Sequence, residues 1–379
     1  MTECLRRELD LGSAGLDVRA SPDAISYVSA IVKLGLLDRL AAGPLICAEG
    51  YLFELERRGY LQAGAYVPEA VLDFPEQVEN LHRDFLRAGS DVIEAFTYYA
   101  HREKLRLIDR ERDLEPMNRA ALAIAKKVAI EGDALIAGNI SNTNIFKPGD
   151  TDANRQVRAM FEEQVGWATD AGVDYIIAET MPWLGEAEIA LDVMKSAKLP
   201  TVVTFALHRE GRMRDGLAPA EAAKRLADQG ADVVGLNCTR GPRTMLPYAK
   251  EIRAAVKTHV AALPVPYRTT PEEPTFQSLT EKDPQCVRCI PDGKSFPVAL
   301  DPFQATRYEI AEFGREALAA DIRYLGVCCG AGPHHIRALA EALGRRPPAS
   351  RFSPDMSKHY ALGTDTRLKP ENREYVDRL

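Results

Sequence analysis

The 379-residue chain has no apolar run approaching the ~18 residues that a membrane-spanning helix needs. Its start, MTECLRRELDLGSAGLDVRA, is polar and lacks the apolar core of a secretory signal. It has no basic tract either: 48 Lys and Arg stand against 55 Asp and Glu, interspersed, for a formal charge of -7. Phosphate backbones recruit the opposite balance, so nucleic acid is not an expected partner, and neither is a membrane. A cytoplasmic location is the default expectation. Cysteine is scarce, seven residues at uneven spacing. An odd, scattered set excludes the disulfide framework of a small secreted domain and leaves reduced thiols, with metal binding as a use for them. Internal repeats and low-complexity tracts are absent, which excludes solenoids.

What is present is a hydrophobic fraction of 46%, enough for a large core, distributed over eight short apolar runs. They are PLICAEG (44 to 50), DVIEAFT (91 to 97), ALIAGNI (134 to 140), YIIAET (175 to 180), TVVTFAL (201 to 207), VVGLNC (233 to 238), VAALPV (260 to 265) and YLGVCC (324 to 329). Between them lie amphipathic segments such as PEQVENLHRDFLRAG and EPMNRAALAIAKKVAIEGD, with apolar residues at helical spacing and a glycine near the exit. Eight strands buried on both faces and alternating with helices are what an α/β fold of the (β/α)8 TIM barrel type requires. An open doubly wound sheet is the alternative, but it has no reason to stop at eight.

The expected organisation is a helical lead-in over 1–43, a catalytic barrel over 44–345 and a Pro- and charge-rich arm over 346–379. The stretch from 266 to about 302 is far longer than an ordinary connection. As the loop after strand 7 it belongs on the catalytic face.

Barrel enzymes keep their chemistry at the carboxyl ends of the strands. The polar residues there are Glu49, Thr97 with Tyr98 and Tyr99, Asn139, Glu179, Cys238, Cys328 and Cys329. Three thiols from strands 6 and 8 can converge on one mouth, and zinc is the natural guest: three protein ligands leave its fourth position open. A vicinal disulfide between Cys328 and Cys329 is the strained alternative. Successive strand residues point opposite ways, so both sulfurs reach one ion only if the strand end distorts, which the GAG that follows permits. Carboxylates ending buried strands, as Glu49 and Glu179 do, are costly without a partner such as a substrate ammonium. His334 and His335 fall in the first turn of a helix and read as capping or packing residues, and the Cys286 to Cys289 CxxC is a lone pair on a loop.

These residues carry a family resemblance. GLNC and GVCCG on strands 6 and 8, with NLHRDFLRAGSDVIEAFTYYAHREKL, YIIAET and CCGAGPHHIRALAEAL, are similar to the homocysteine S-methyltransferase family, most of all its betaine-homocysteine branch. The resemblance implies zinc on Cys238, Cys328 and Cys329, with homocysteine entering as fourth ligand. It implies Glu179 on the substrate amino group, with Glu49 and Gly50 in the strand 1 contact. It places Tyr66, Tyr98 and Tyr99 around a quaternary ammonium donor, Tyr99 matching a tyrosine that can occupy the open metal position, and it implies direct transfer in a dimer or tetramer. Three positions depart from the branch: Glu49-Gly50-Tyr51 for Asp-Gly-Gly or Asp-Gly-Ala, Ala95 for threonine, and Tyr66 for tryptophan. The expected activity is methyl transfer from glycine betaine or a related onium compound to homocysteine. Another donor (S-methylmethionine, dimethylsulfoniopropionate or a plant betaine) and a non-catalytic structural zinc protein are the alternatives.

Overall fold

The computed structural model describes residues 33–290 and 293–379. Eight parallel strands close on themselves in chain order, each bonded to the next and the last to the first. They are β1 (Leu45–Ala48), β2 (Val92–Glu94), β3 (Leu135–Ser141), β4 (Tyr175–Met181), β5 (Thr201–Phe205), β6 (Val233–Asn237), β7 (His259–Leu263) and β8 (Tyr324–Val327). All eight apolar runs are therefore strands of one (β/α)8 barrel, each followed by a helix that packs back on the sheet.

Local chemistry sets the helix ends. The helix Pro75–Ala88 starts on a proline, whose missing N–H costs nothing there, and buries Val78, Leu81, Phe85 and Ala88 along one face. It stops at Gly89, which takes the left-handed φ of 112°. The helix Thr151–Ala171 begins with the Asp150 carboxylate accepting from the Asp152 and Ala153 amides and ends at Gly172. A reciprocal Thr306 and Glu309 cap opens Arg307–Ala319.

The barrel interior follows the period of two along each strand. Leu45 and Cys47, Leu135 and Ala137, Tyr175 and Ile177, with Val92, Val233 and Tyr324, fill the lower interior. The short helix Leu36–Ala42 closes that end with Leu36 and Leu40. It is the described part of the expected lead-in; residues 1–32 lie outside the described residues. Two residues further along the inward series come Glu49, Glu94, Asn139 and Glu179, where the apolar filling ends and a polar layer begins.

Several strands end earlier than their apolar runs. β1 stops before Glu49, β6 before Cys238 and β8 before Cys328; each of these residues still donates its amide to the neighbouring strand or its extension, at the Val327, Leu263 and Pro264 carbonyls, and the chain turns into the mouth just after them. The long connection after β7 folds over that mouth: the Phe276 amide donates to the Thr239 carbonyl (2.8 Å), and Tyr267 bridges to Gln304. Past the barrel, the Arg345 guanidinium holds the Asp91 carboxylate, and Arg337 donates to the Ala349 and Phe352 carbonyls, laying the first turn of the tail against the helices.

Candidate active site

Cys238 directly follows β6 and takes a left-handed φ of 57°, as does Thr239 at 53°. Such conformations in non-glycine residues cost on the order of 1 kcal/mol or more each and persist only where the surroundings hold them. Here the Thr239 hydroxyl donates to the Leu207 carbonyl (2.8 Å) and fixes the bend. Cys328 and Cys329 sit in a turn closed by the Ala331 amide on the Cys328 carbonyl (3.0 Å). The expected distortion of strand 8 is thus its termination: freed from strand alternation, both thiols face Cys238. Gly330 makes the turn possible at φ 90°, and a Cβ there would lie 2.3 Å from the Tyr267 hydroxyl.

The Cys238 and Cys329 sulfurs are 3.8 Å apart, and those of Cys328 and Cys329 3.9 Å. Zinc–sulfur bonds of about 2.3 Å at tetrahedral angles require sulfurs about 3.8 Å apart, so the set fits a thiolate-held metal. These are free thiols rather than a vicinal disulfide. Contacts from the Cys328 and Cys329 sulfurs hold the Cys238 thiol well below its ordinary range. Burial pushes Cys328 up, and the bond to Cys238 pushes Cys329 up. Three thiols held this close, one of them shifted toward its ionised form, are a set from which a bound cation would displace protons to solvent.

Beside the sulfurs, Glu49, Glu94 and Glu179 are all buried. The Asn139 amide donates to both Glu94 Oε1 and Glu179 Oε1, each at 2.6 Å. Asn237 donates to Glu179 Oε2 (2.6 Å), and the Cys47 thiol to Glu94 Oε2 (3.4 Å). Neither oxygen of Glu49 has a hydrogen-bond partner, although Cys328 and Asn237 stand close enough to act on its charge. Burial, then the mutual repulsion of the carboxylates, pushes Glu49 and Glu179 well above the usual range. Burial alone outweighs the hydrogen bonds at Glu94 and raises it to about 7. None of the three has a lysine or arginine partner among the described residues. An orphaned carboxylate among like charges is a seat for a ligand cation. The recess that Glu49, Glu94 and Glu179 line with Cys328 and Cys329 holds about 20 Å3, the room of one ammonium-sized group.

Outside the recess a mouth of about 360 Å3 opens above Cys238 and Cys329. Its wall is aromatic. Phe53 meets Tyr66, Phe276 and Phe296 at ring separations of 5.8, 5.9 and 6.4 Å, and these rings pack in one cluster with the cysteines. Tyr66 is again left-handed, at φ 56°, and its buried hydroxyl lacks a partner. Tyr98 lines both recess and mouth, with the Tyr99 ring tilted against it at a centroid separation of 4.2 Å. A roomier groove of about 450 Å3, between the helices Pro242–Ala255 and Arg307–Ala319, is lined by none of these cysteines or glutamates.

The structure thus brings together Glu49, Glu179, Tyr66, Tyr98, Tyr99, Cys238, Cys328 and Cys329. Three other expected residues act behind the site. Thr97 spends its hydroxyl on the Asn139 carbonyl (2.7 Å), and Asn139 ties two carboxyl groups together. Gly50 is a close approach: a Cβ on it would lie 2.0 Å from the Ala331 carbonyl, in the turn that carries the cysteines. His335 accepts from the Gly332 amide at Nδ1 (3.1 Å) and packs by Ala305, a helix-start role. Cys286 and Cys289 are exposed on the loop. Sequence reading passed over Glu94, Phe53, Phe276 and Phe296. For the two loop phenylalanines the signal was an aromatic pair in a long loop already expected on this face.

Comparison with known proteins agrees with this geometry. The family profile described as Homocysteine S-methyltransferase matches residues 46–343. A betaine–homocysteine S-methyltransferase 1 of Danio rerio is 38% identical over 360 residues, 92% of this chain and 86% of that protein. An S-methylmethionine–homocysteine S-methyltransferase of Pongo abelii is 36% identical over 361 residues, 92% and 93% of the two chains. Among solved structures, the metallated form of the homocysteine methyltransferase MmuM from Escherichia coli superposes with a TM-score of 0.61. The match spans 80% of this chain and 98% of that one at 18% identity, a likeness of fold.

Proposed function

Because the chain belongs to the homocysteine S-methyltransferase family, as a betaine–homocysteine S-methyltransferase-like enzyme, we propose that it moves a methyl group from glycine betaine to homocysteine, yielding methionine and dimethylglycine. The observation that supports this reading is the three-sulfur set at 3.8 to 3.9 Å between an unpaired carboxylate recess and an aromatic mouth.

In this reading Cys238, Cys328 and Cys329 hold zinc, which when bound lowers the pKa of an incoming thiol while leaving its sulfur nucleophilic. Glu179, oriented by Asn139 and Asn237, and the orphaned Glu49 accept the homocysteine ammonium, so the thiol end points out toward the mouth. Phe53, Tyr66, Phe276 and Phe296 offer ring faces to onium methyl groups, which have no protons to donate. The homocysteine sulfur, its thiol proton released to solvent water beforehand, supplies an electron pair to the methyl carbon as the methyl–nitrogen bond breaks. That bond's electrons stay on nitrogen, leaving a neutral tertiary amine, so the transfer itself needs no general acid. The residues contribute position, and alignment of two bound reactants accounts for much of such an acceleration.

A second reading takes S-methylmethionine as donor, since a relative of similar identity carries that name and Tyr66 shapes this mouth. Initial rates with homocysteine and a panel of glycine betaine, S-methylmethionine and dimethylsulfoniopropionate decide between them. Glycine betaine is expected to saturate lowest. A lower saturation by S-methylmethionine would install the second reading, and no methionine from any donor would end both.

We also read 346–379 as an oligomerisation arm. Phe352, Met356, Tyr360, Leu362 and Leu379 are exposed along it, more apolar surface than a tail in water needs. The intact chain is expected to sediment as a dimer or tetramer and a chain ending at Arg345 as a monomer; equal sedimentation of the two would count against the arm.

A further inference from the structure

The mouth presents an electrostatic contradiction. A donor that is an onium cation has to enter it, yet its walls carry two cations, Lys104 and Arg214, against one glutamate. Lys104 projects from the short helix Arg102–Leu105, and its Nζ lies 3.9 Å over the centre of the Tyr99 ring. One face of the ring expected beside the donor is therefore already covered. Arg214 also lines the mouth, its guanidinium 5.9 Å from the centre of the Trp183 ring and near enough to Glu186 to act on its charge. The one glutamate in the lining, Glu186, accepts from the Thr143 amide (2.7 Å) and hydroxyl (2.6 Å).

The charges near Lys104 on its own element are engaged elsewhere: Arg102 holds Glu163, and Glu103 holds Arg106. His101, packed edge-on against Tyr99, is buried and kept neutral. The Lys104 ammonium has no ion pair or hydrogen bond among the described residues; the residue's hydrogen bonds are main-chain ones. Burial lowers its pKa with no carboxylate to offset the effect. A half-buried ammonium seated on an aromatic ring and facing a cavity is a receptor for an anion the protein does not supply.

We propose that Lys104 receives the carboxylate of the methyl donor, and that the mouth therefore selects onium zwitterions carrying one carboxylate and rejects net cations. This rests on the functional reading above and adds the donor's charge pattern to it. The onium lies against the Phe53, Tyr66, Phe276 and Phe296 rings beside the sulfurs, and the carboxylate points toward the Tyr99 end. A bare cation of the same size meets the same rings but is repelled by Lys104, whereas the charge of Arg214 is offset by Glu186. S-methylmethionine, whose carboxylate is accompanied by its own ammonium, brings a third positive group to the same wall.

The test compares wild type, Lys104→Gln and Lys104→Arg as full-length, zinc-loaded protein. Binding of glycine betaine and of tetramethylammonium is measured calorimetrically in the presence of homoserine, which carries the ammonium and carboxylate of homocysteine but no thiol to methylate, so that no turnover occurs. Glycine betaine is expected to bind Lys104→Gln about 30-fold more weakly, the scale of one lost charge-assisted hydrogen bond, with Lys104→Arg restoring most of it. Tetramethylammonium is expected to bind Lys104→Gln more tightly than wild type, because a repulsive charge has gone. A merely structural lysine moves both ligands in the same direction, so parallel weakening, or no change for glycine betaine, overturns the assignment. Wild-type protein that binds neither ligand overturns both this assignment and the functional reading.

Discussion

Cys328→Ala is expected to purify with less than about a tenth of an equivalent of zinc and to lose methyl transfer at least a thousandfold, on the order of 4 kcal/mol of transition-state stabilisation. Two sulfurs cannot replace three: the remaining Cys238 and Cys329 pair, 3.8 Å apart, lacks the third corner from which the metal is held. The fold is expected to tolerate the change. Cys328 is small, lies after β8 rather than in it, and keeps its main-chain bonds to the Pro264 and Ala331 peptides. Deleting one buried sulfur costs about 1 kcal/mol in packing. Metal analysis, a thermal melt and an activity assay on the same preparation separate the two effects. Cys286→Ala, on the exposed loop, is the control and is expected to retain metal and rate. A Cys328→Ala protein that keeps zinc and full activity would remove the three-sulfur site from the account.

The same residues show how far a sequence carries. The eight strands were legible because parallel strands buried on both faces are near-continuous apolar runs. Their ends were not, since Glu49, Cys238 and Cys328 extend an apolar run and keep one amide bond each to the neighbouring strand or its extension, while the chain turns away directly after them. The sulfur set was legible from strand position alone. Glu94 was hidden inside the run DVIEAFT, where only the inward register, counted from Val92, reveals that its side chain joins Glu49 and Glu179. Phe276 and Phe296 reach the mouth through the folding of a long loop pinned by the Phe276 to Thr239 bond, which no local pattern encodes. Lys104 lies five residues beyond Tyr99. Its place over that ring depends on the left-handed turn at Tyr99, φ 61°, an unfavourable conformation for tyrosine that sequence preference argues against.

Replacing Glu179 by glutamine is expected to separate what the carboxylate does for the substrate from what it costs the protein. The amide keeps the shape and a hydrogen bond to Asn139 or Asn237 but removes the charge that homocysteine's ammonium would meet. A charged hydrogen bond in a dry site is worth about 3 kcal/mol, so kcat/KM for homocysteine is expected to fall about a hundredfold. Zinc content and the KM for the donor should change little. The substrate-free protein should move the other way. Burial, reinforced by Glu49 and Glu94, raises the Glu179 pKa above its unfolded value. The folded state therefore binds its proton more tightly than the unfolded state. That contribution is fully present below the unfolded carboxylate pKa and is lost as pH rises through the folded one. Glutamine cannot ionise, so Glu179→Gln is expected to melt higher than wild type above neutrality, with the difference shrinking toward pH 4. Lower affinity joined to higher stability is the mark of a charge retained for its ligand. A variant that melts lower at every pH and keeps its homocysteine KM would instead make Glu179 a brace for Asn139 and Asn237, and leave Glu49 alone to meet the ammonium.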